Sequence, residues 1–158
     1  RALAVGDLLV IDMGARVDGY GSDMTRTFAV GSFTAETEAI YRAVEAAQRA
    51  GVAAVAPGVS TGTVDAACRE VLSGHGMAEE FVHGTGHGIG LEIHESPFLG
   101  KSDPVELRAD QVVTVEPGVY RVGVGGVRIE DSVVVTTDGC RPITASPKEP
   151  VLTWPRGR

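Results

Sequence analysis

The feature that most constrains the fold is a pair of β-rich runs joined by a glycine-rich turn, VVTVEPGVYRVGVGGVRIED, residues 112–131. Such a segment favours an antiparallel hairpin. Glu116 and Glu130 each lie seven positions from Gly123, so a turn centred there places the two glutamates directly opposite each other. Like charges in that relation destabilise a sheet. The fold therefore needs something that offsets the repulsion between these two carboxylates.

A second hairpin is predicted near the start of the chain, at the turn signal Asp18-Gly19. A two-residue turn at this place pairs positions whose numbers sum to 37, so Asp23 opposes Gly14. Asp12 lies two residues from Gly14 and faces the same side of the sheet. Such diagonal neighbours are about 7–8 Å apart. Each of the two hairpins thus presents two carboxylates on one face.

The alternative interpretation of these carboxylates is ordinary charge on a solvated surface. However, Asp12 follows the apolar run LLVI and Glu116 follows VVTV, so we expect both to be largely buried. A buried carboxylate becomes neutral or destabilises the fold unless it is paired or binds a metal. The candidate cationic partners, Arg26 and Arg128, cannot offset four carboxylates, whereas two divalent cations can. The sequence therefore predicts a metal site where the hairpins meet.

Three histidines, His83, His87 and His94, lie within twelve residues of the glycine-rich segment HGTGHGIGLEIHE. The i,i+4 spacing of His83 and His87 suits a helical zinc site, but glycine at every second position from 84 to 90 argues against a helix. A phosphate loop is also excluded, because neither GxGxxG nor GK[ST] occurs. The glycines are better explained by a close approach of backbone and substrate to a site.

The order of the predicted elements is a strand pair, two helices and further strands, which indicates an α+β fold with an antiparallel sheet. The C-terminal segment SPKEPVLTWPRGR is rich in proline and is expected to be loosely held. The predicted elements are strands 8–16 and 23–30, a helix from the N-cap Thr34 to Pro57, a helix over 63–73, a loop around 97–104, the hairpin 112–131 and a strand over 132–136.

Composition narrows the class of protein. The net charge is −7 and Lys and Arg do not cluster, so no nucleic-acid partner is expected. No apolar run reaches the ~20 residues of a membrane span, and no secretory signal opens the chain. Cys68 and Cys140 form no CxxC motif, which favours a reducing, cytoplasmic setting. The chain enters a strand almost at once without an initiator Met, so we expect it to be a piece of a longer protein.

Four segments, DMGARVDGYGSDMTRTF, HGTGHGIGLEIHE, TVEPGVY and GVRIED, resemble in order the signature segments of the pita-bread metallopeptidases. Within that family they are most similar to the Xaa-Pro peptidases, prolidase and aminopeptidase P. The resemblance covers about residues 5–146. It implies an incomplete pita-bread fold, a curved antiparallel sheet with flanking helices. Residues 1–146 would form the C-terminal part of the catalytic domain, and residues 147–158 a Pro-rich tail.

The resemblance also implies the site residues. The metal ligands would be Asp12, Asp23, His87, Glu116 and Glu130, of which Asp23 and Glu130 bridge two ions. Oxygen-rich ligands of this kind suit Mn²⁺ or Co²⁺, with Fe²⁺ or Zn²⁺ as alternatives. The catalytic residues would be Glu116 as the base, with His94 and His83 contacting the substrate and the tetrahedral intermediate.

The activity implied by the resemblance is hydrolysis of the bond between an N-terminal residue and proline, in dipeptides or short peptides, by a homodimeric full-length enzyme. Some prolidases carry an Arg just after the HExP stretch that holds the dipeptide's carboxylate, but here Phe98 follows Pro97. Strict dipeptide specificity is therefore not implied. The isolated 158 residues are expected to bind metal weakly and to be nearly inactive, because the family's upstream segment supplies a further substrate-facing histidine.

The alternatives to this activity are another pita-bread aminopeptidase such as methionine aminopeptidase, a non-catalytic binding module with the same fold, and a cupin-like oxygenase. A binding module usually lacks ligands, and all five ligand positions are present here. A cupin-like oxygenase would hold one metal ion per chain, mainly through histidines. Metal analysis therefore distinguishes it from a dinuclear metallopeptidase.

Overall fold

A computed structural model describes residues 1–102 and 104–152 of the chain. The described chain contains two α-helices, one short 3₁₀ turn (Ala78–Glu80) and twelve β-strands. In chain order the elements are β1 (Leu8–Met13), β2 (Arg16–Val17), β3 (Tyr20–Gly21), β4 (Met24–Val30), α1 (Ala35–Ala54), α2 (Thr61–Gly74), β5 (Gly86–Gly88), β6 (Glu95–Leu99), β7 (Val112–Val115), β8 (Gly118–Arg121), β9 (Gly125–Arg128), β10 (Asp131–Val135), β11 (Cys140–Pro142) and β12 (Val151–Leu152).

The N-terminal hairpin has the register predicted from its turn. Arg16 pairs with Gly21, and Asp12 pairs with Thr25, so partner numbers sum to 37 throughout. The turn residues Asp18 and Gly19 both have positive φ, at 50° and 89°, as a two-residue hairpin turn of the primed type requires. The predicted single strand over 8–16 is divided into β1 and β2. The division falls beside the candidate ligands, at the level of residues 14 and 23.

The second hairpin also has the predicted register. Val115 pairs with Asp131, and Gly118 pairs with Arg128, so partner numbers sum to 246 on both sides of a break in the ladder. Glu116 and Glu130 lie opposite each other in this break. The turn is centred on Gly123, whose φ is 83°. The repulsive pair expected from the sequence is therefore present, and it lies where neither residue belongs to a strand.

The two helices cover the sheet and enclose the core. Thr34 caps α1 through a reciprocal capping box with Thr37, as the sequence predicts for the start of this helix. The second helix begins at Thr61 rather than residue 63, because the side chain of Ser60 accepts a hydrogen bond from Gly62 N and caps it. The core residues include Val44 from α1, Cys68 from α2, and Val113 and Val115 from β7. This packing fixes the strand from which Glu116 emerges.

The glycine-rich segment is part of a sheet, which the sequence did not predict. The strand order β11-β10-β7-β5-β6 places β5 between β7 and β6. The loop predicted around residues 97–104 is wrong for residues 97–99, which belong to β6; residue 103 lies outside the described residues. Proline is tolerated at Pro97 because β6 is an edge strand, where a missing N–H removes no ladder bond.

The C-terminal segment contacts the body of the protein. Ala29 N donates a hydrogen bond to Pro150 O at 2.7 Å, and β12 pairs in parallel with β4. The hydroxyl of Tyr41 donates to Lys148 O at 2.9 Å. The expectation of a loosely held tail is therefore wrong for residues 147–152, and residues 153–158 lie outside the described residues. The domain division at residue 146 stays a prediction.

The described strands form four hydrogen-bonded sheets, with the strand orders β1-β4-β12, β11-β10-β7-β5-β6, β2-β3 and β8-β9. The pair β4–β12 is parallel and the other pairs are antiparallel. The α+β class predicted from the sequence is confirmed. Within residues 1–102 and 104–152, no helix has the length and apolar character needed to cross a membrane.

Candidate metal centre

The five predicted ligand side chains converge on one place: Asp12 lies on β1, Asp23, Glu116 and Glu130 lie at breaks in the two hairpins, and His87 lies on β5. The expectation that Asp12 is largely buried is wrong, because its side chain faces an open cleft and is exposed, whereas Glu116 is mostly buried. Potential donor atoms form three groups, and within each group the atoms lie within 4.8 Å of one another. The groups share members, so they describe one continuous cluster rather than three separate sites. The groups are Asp12, Asp23 and Glu130; His87, Glu116 and Glu130; and Asp23, His87 and His94.

His87 is oriented by its own strand. Its backbone N donates to Thr114 Oγ1 at 3.1 Å, and its ring Nδ1 lies 3.0 Å from Gly88 O. A carbonyl oxygen only accepts hydrogen bonds, so Nδ1 carries a proton. Nε2 faces the cluster, where it can donate to Glu116 when the ring is protonated and offer its lone pair to a metal ion when the ring is neutral. Nε2 lies 3.2 Å from Glu116 Oε1 and 3.8 Å from Asp23 Oδ2. This is the arrangement of a metal-ligating histidine whose second nitrogen is fixed by the backbone.

Glu130 provides the strongest test of whether these residues fit a metal ion. Its side chain is 2% exposed, and Oε2 accepts a hydrogen bond from Thr25 Oγ1 at 2.7 Å. The other oxygen, Oε1, is buried and has no hydrogen-bond partner in the described part of the chain. Buried polar atoms are normally satisfied, and an unsatisfied one calls for an explanation such as an ion. A cation among Glu130 and its neighbours supplies the missing partner, so the residues fit the metal that the sequence predicts.

The electrostatics of the cluster agree with this interpretation. Burial, and then repulsion from Glu116, raises the pKa of Glu130 to about 8. Burial, followed by repulsion from Asp12, also raises the pKa of Asp23. Burial alone raises the pKa of Glu116, but the hydrogen bond and charge of His87 outweigh it, so the net pKa is lowered. Without a cation, the cluster retains protons that a metal ion would displace.

The raised pKa of Glu130 predicts how the metal-free protein responds to pH. Above pH 4.5 the unfolded chain has released this proton, while folded Glu130 retains it up to about pH 8. The free energy of unfolding should therefore fall as pH rises through this range, by at most about 1.4 kcal/mol per pH unit. Urea denaturation in EDTA at several pH values measures the slope. A free energy of unfolding that rises steadily from pH 5 to pH 8 would contradict the burial of this carboxylate.

The two arginines considered as partners for the carboxylates have different positions. Arg26 does not pair with Asp23; it is buried and pairs with Asp131 at 2.8 Å. Arg128 is in the site, where Nη2 donates to Asp12 Oδ2 and Nε lies 3.8 Å from Glu116 Oε2. One guanidinium beside four carboxylates leaves the cluster with an excess of negative charge, as the sequence indicated.

Tyr120 is a site residue that sequence reasoning missed. Its hydroxyl accepts a hydrogen bond from Arg128 Nη1 at 2.9 Å and lies 3.0 Å from His83 Nε2. Nδ1 of His83 donates to Gly84 O at 2.8 Å, so Nε2 of His83 accepts a hydrogen bond from the hydroxyl of Tyr120. The hairpin register contained the signal, since Tyr120 pairs with Gly126, two residues from Arg128 on the same face.

His83 and His94 both lie beside the cluster. The ring of His94 meets that of His87 edge-on, with centroids 4.2 Å apart. The ring of His83 packs in the same way against Phe81, with centroids 5.0 Å apart. Both histidines line a cleft of about 780 Å³ that also reaches Asp12 and Glu116. Three of the predicted ligands, Asp12, His87 and Glu116, thus share one cleft with the predicted substrate-contacting residues.

Gly86 allows β5 to approach β7 closely enough to place His87. A Cβ atom at this position would lie 2.0 Å from Thr114 O, a backbone atom. Gly86→Ala should therefore separate the two strands and lower the free energy of unfolding by about 1–3 kcal/mol or more. Chemical denaturation measures the loss. The matched control is Gly74→Ala at the end of α2, where a Cβ meets nothing within 4 Å; equal stability of the two variants would contradict the close approach.

Comparison with known proteins agrees with this geometry. Residues 1–137 match the sequence profile of metallopeptidase family M24. The chain belongs to this family. It is 47% identical over 152 residues to the uncharacterized peptidase YqhT of Bacillus subtilis, covering 96% of this chain and 43% of YqhT. It is 43% identical over 144 residues to the Xaa-Pro dipeptidase of Pyrococcus furiosus, covering 91% of this chain and 41% of that protein.

Solved structures of this family share the fold of the chain. The Xaa-Pro dipeptidase from Bacillus anthracis superposes with a TM-score of 0.94 at 45% identity, over 96% of this chain and 43% of that one. The pita-bread fold predicted from the sequence is confirmed. The chain spans about two fifths of the length of these relatives.

Proposed function

We propose that the complete protein is a dinuclear metallopeptidase that hydrolyses the bond between an N-terminal residue and proline, in Xaa-Pro dipeptides or short peptides. The observation that carries the proposal concerns Glu130, which belongs to two of the overlapping donor groups and whose buried Oε1 has no hydrogen-bond partner among the described residues. The names of the relatives support the substrate class, because those from P. furiosus and B. anthracis are called Xaa-Pro dipeptidases.

Four carboxylates and one imidazole would hold two divalent ions. Oxygen donors with a single nitrogen and no thiolate suit Mn²⁺ or Co²⁺ best, with Fe²⁺ or Zn²⁺ as alternatives. When bound, such a pair of ions lowers the pKa of a shared water and polarises the carbonyl of the scissile bond. The residues that would supply the ligands are Asp12, Asp23, His87, Glu116 and Glu130.

Glu116 would act as the general base. Its Oε1 is fixed by Thr114 Oγ1 at 3.0 Å, and its backbone N donates to Thr85 O at 2.7 Å. Its lowered pKa keeps it ionised at neutral pH and ready to take a proton. The proton would then pass to the leaving nitrogen of proline, which has no N–H of its own in the peptide.

His94 would donate a hydrogen bond to the developing oxyanion, an interaction worth about 3–4 kcal/mol in other enzymes. The proposed role of His83 is more constrained, because both of its ring nitrogens already have partners. The neutral ring carries its proton on Nδ1 and has only a lone pair on Nε2, so His83 could donate to substrate through Nε2 only in its protonated form. We therefore assign the primary oxyanion contact to His94 and a substrate-positioning contact to His83.

A panel of substrates tests the proposal. With Mn²⁺ or Co²⁺, the complete protein should release alanine from Ala-Pro or Ala-Pro-Ala and should not release methionine from peptides without proline at the second position. Cleavage of only the latter peptides would favour a methionine aminopeptidase. We further propose that the complete protein is cytoplasmic, which the free thiols of Cys68 and Cys140 support. We also propose that it is a homodimer; sedimentation velocity measures the oligomeric state.

A further inference from the structure

Arg26 is the largest fully buried side chain, and every one of its N–H groups has an acceptor. The side chain is 2% exposed. Such complete satisfaction of a buried guanidinium fixes both its position and its plane. The acceptors are Pro147 O at 3.1 Å for Nε, Thr25 O at 2.9 Å and Glu130 O at 2.5 Å for Nη1, and Asp131 Oδ1 and Ser146 O at 2.8 Å each for Nη2.

These contacts connect Arg26 to the candidate metal centre through the backbone. One hydrogen bond of Arg26 goes to the backbone of Glu130, whose carboxylate projects into the donor cluster. Another goes to the backbone of Thr25, whose hydroxyl donates to that carboxylate. Glu130 N in turn donates to Thr25 O at 3.0 Å. Arg26 therefore fastens together the two backbone positions that determine where the Glu130 carboxylate lies.

The same guanidinium binds the C-terminal segment, residues 146–152, through two carbonyl oxygens. Asp131 extends the connection, since its Oδ2 accepts hydrogen bonds from Lys148 Nζ at 2.5 Å and from Gln48 Nε2 at 2.9 Å. Lys148 also donates to Gln48 Oε1 at 3.0 Å. Two cations and one carboxylate thus form a hydrogen-bonded network that joins β4, β10, α1 and the C-terminal segment.

We propose that this network, Arg26–Asp131–Lys148, is a buried clamp by which the C-terminal segment positions Glu130 for metal binding. Arg26 is a positioning residue, because it touches the backbone of a proposed ligand and not the ion. The inference rests on the proposed function, which makes Glu130 a ligand. It assigns to residues 146–148 a role in the metal centre, although none of them lies among the donors.

A purely structural role is the competing explanation, and the energetics separate the two. Buried ion pairs are poor sources of stability, since apolar residues of similar volume are often as stable. Their geometry, in contrast, directly affects a ligand fixed by the network. Changes to residues that orient metal ligands typically weaken metal affinity by about ten- to hundredfold. Metal affinity, measured on folded protein, is therefore the property that distinguishes a clamp from ordinary core packing.

The test compares variants of the complete protein by calorimetric titration with Mn²⁺ and by the absorption spectrum of the Co²⁺ form. Arg26→Lys keeps the charge but loses the planar fork, and Lys148→Met removes only the ammonium group. The control is Leu72→Ala, a fully buried core position on α2 outside the network. Urea denaturation at the temperature of the titration confirms that each variant is folded.

We expect Arg26→Lys to weaken Mn²⁺ binding by about ten- to hundredfold and to alter the Co²⁺ spectrum, with a smaller loss of affinity for Lys148→Met. Leu72→Ala should lose stability and keep the affinity of the unaltered chain. Folded Arg26→Lys with unchanged affinity overturns the inference. If Arg26→Lys does not fold, unchanged affinity of Lys148→Met overturns it. An unaltered complete protein that binds neither ion contradicts the proposed function itself, which distinguishes the two failures.

Discussion

Glu116→Gln is expected to lower the kcat of the complete protein on Ala-Pro by about two to four orders of magnitude, the contribution typical of a general base. Glutamine has nearly the same shape and can still accept the hydrogen bond of Thr114, so the fold should be retained. What is lost is the ionised oxygen that takes the proton, together with one charge at the metal centre. Release of proline at saturating Mn²⁺ measures the effect.

The control for this variant is Glu70→Gln, because Glu70 is exposed on α2. It makes the same chemical change away from the cleft and should leave turnover unchanged. Full activity of Glu116→Gln would exclude Glu116 as the base. Loss of activity that accompanies loss of metal from Glu116→Gln would leave it a ligand only, so metal content is measured on the same sample.

Glu130→Gln is expected to change stability and metal binding in opposite directions. In the metal-free protein, the carboxylate is buried and repelled by Glu116, and its pKa is raised to about 8. A neutral amide removes this cost, so at pH 8 the metal-free variant should be more stable to urea than the original chain. The same change removes a charged ligand shared by two donor groups, so Mn²⁺ should no longer stabilise the protein.

This opposition is characteristic of a functional site, because replacing a residue that serves only packing does not make the protein more stable. Urea denaturation of both proteins at pH 8, with EDTA and with Mn²⁺, gives the four values needed. A Glu130→Gln variant that is less stable without metal and equally stabilised by Mn²⁺ would show that Glu130 is an ordinary core polar residue.

The register of both hairpins could be predicted from the sequence because turn chemistry determines it. The Asp18-Gly19 turn and the turn centred on Gly123 fix which residues face each other. Once the register is known, the positions of Asp12, Asp23, Glu116 and Glu130 follow from alternation along a strand. The start of α1 was likewise predictable, since the Thr34 cap depends only on neighbouring residues.

Other features depend on contacts between distant segments. Strand β5 has two glycines in three residues, a composition that disfavours strands, and it forms because β7 and β6 flank it. The charge of Arg26 was visible, but its partner depends on where β10 and the C-terminal segment pack. Pairing of Val151 with Ala29 holds a segment whose prolines alone suggested a loose tail. Local sequence patterns do not predict these three contacts between distant segments.

The two hairpins also explain how the fold tolerates the repulsion between the carboxylates of the site. Asp23, Glu116 and Glu130 lie at breaks in the ladders, beside regular strands that continue on both sides, whereas Asp12 lies in β1 and is paired with Thr25. The strands supply the stability, while the breaks free three of the carboxylates from the pleat and let them converge with Asp12. His87 then enters from β5 to complete the donor set.

Metal stoichiometry tests the central claim most directly. The complete protein, saturated with Mn²⁺ and freed of excess ion, would be analysed for manganese per chain, beside the Glu130→Gln variant. The electrostatic interpretation predicts two ions per chain in the original protein and a marked loss in the variant. One ion per chain, or none, or equal manganese in both proteins would contradict it.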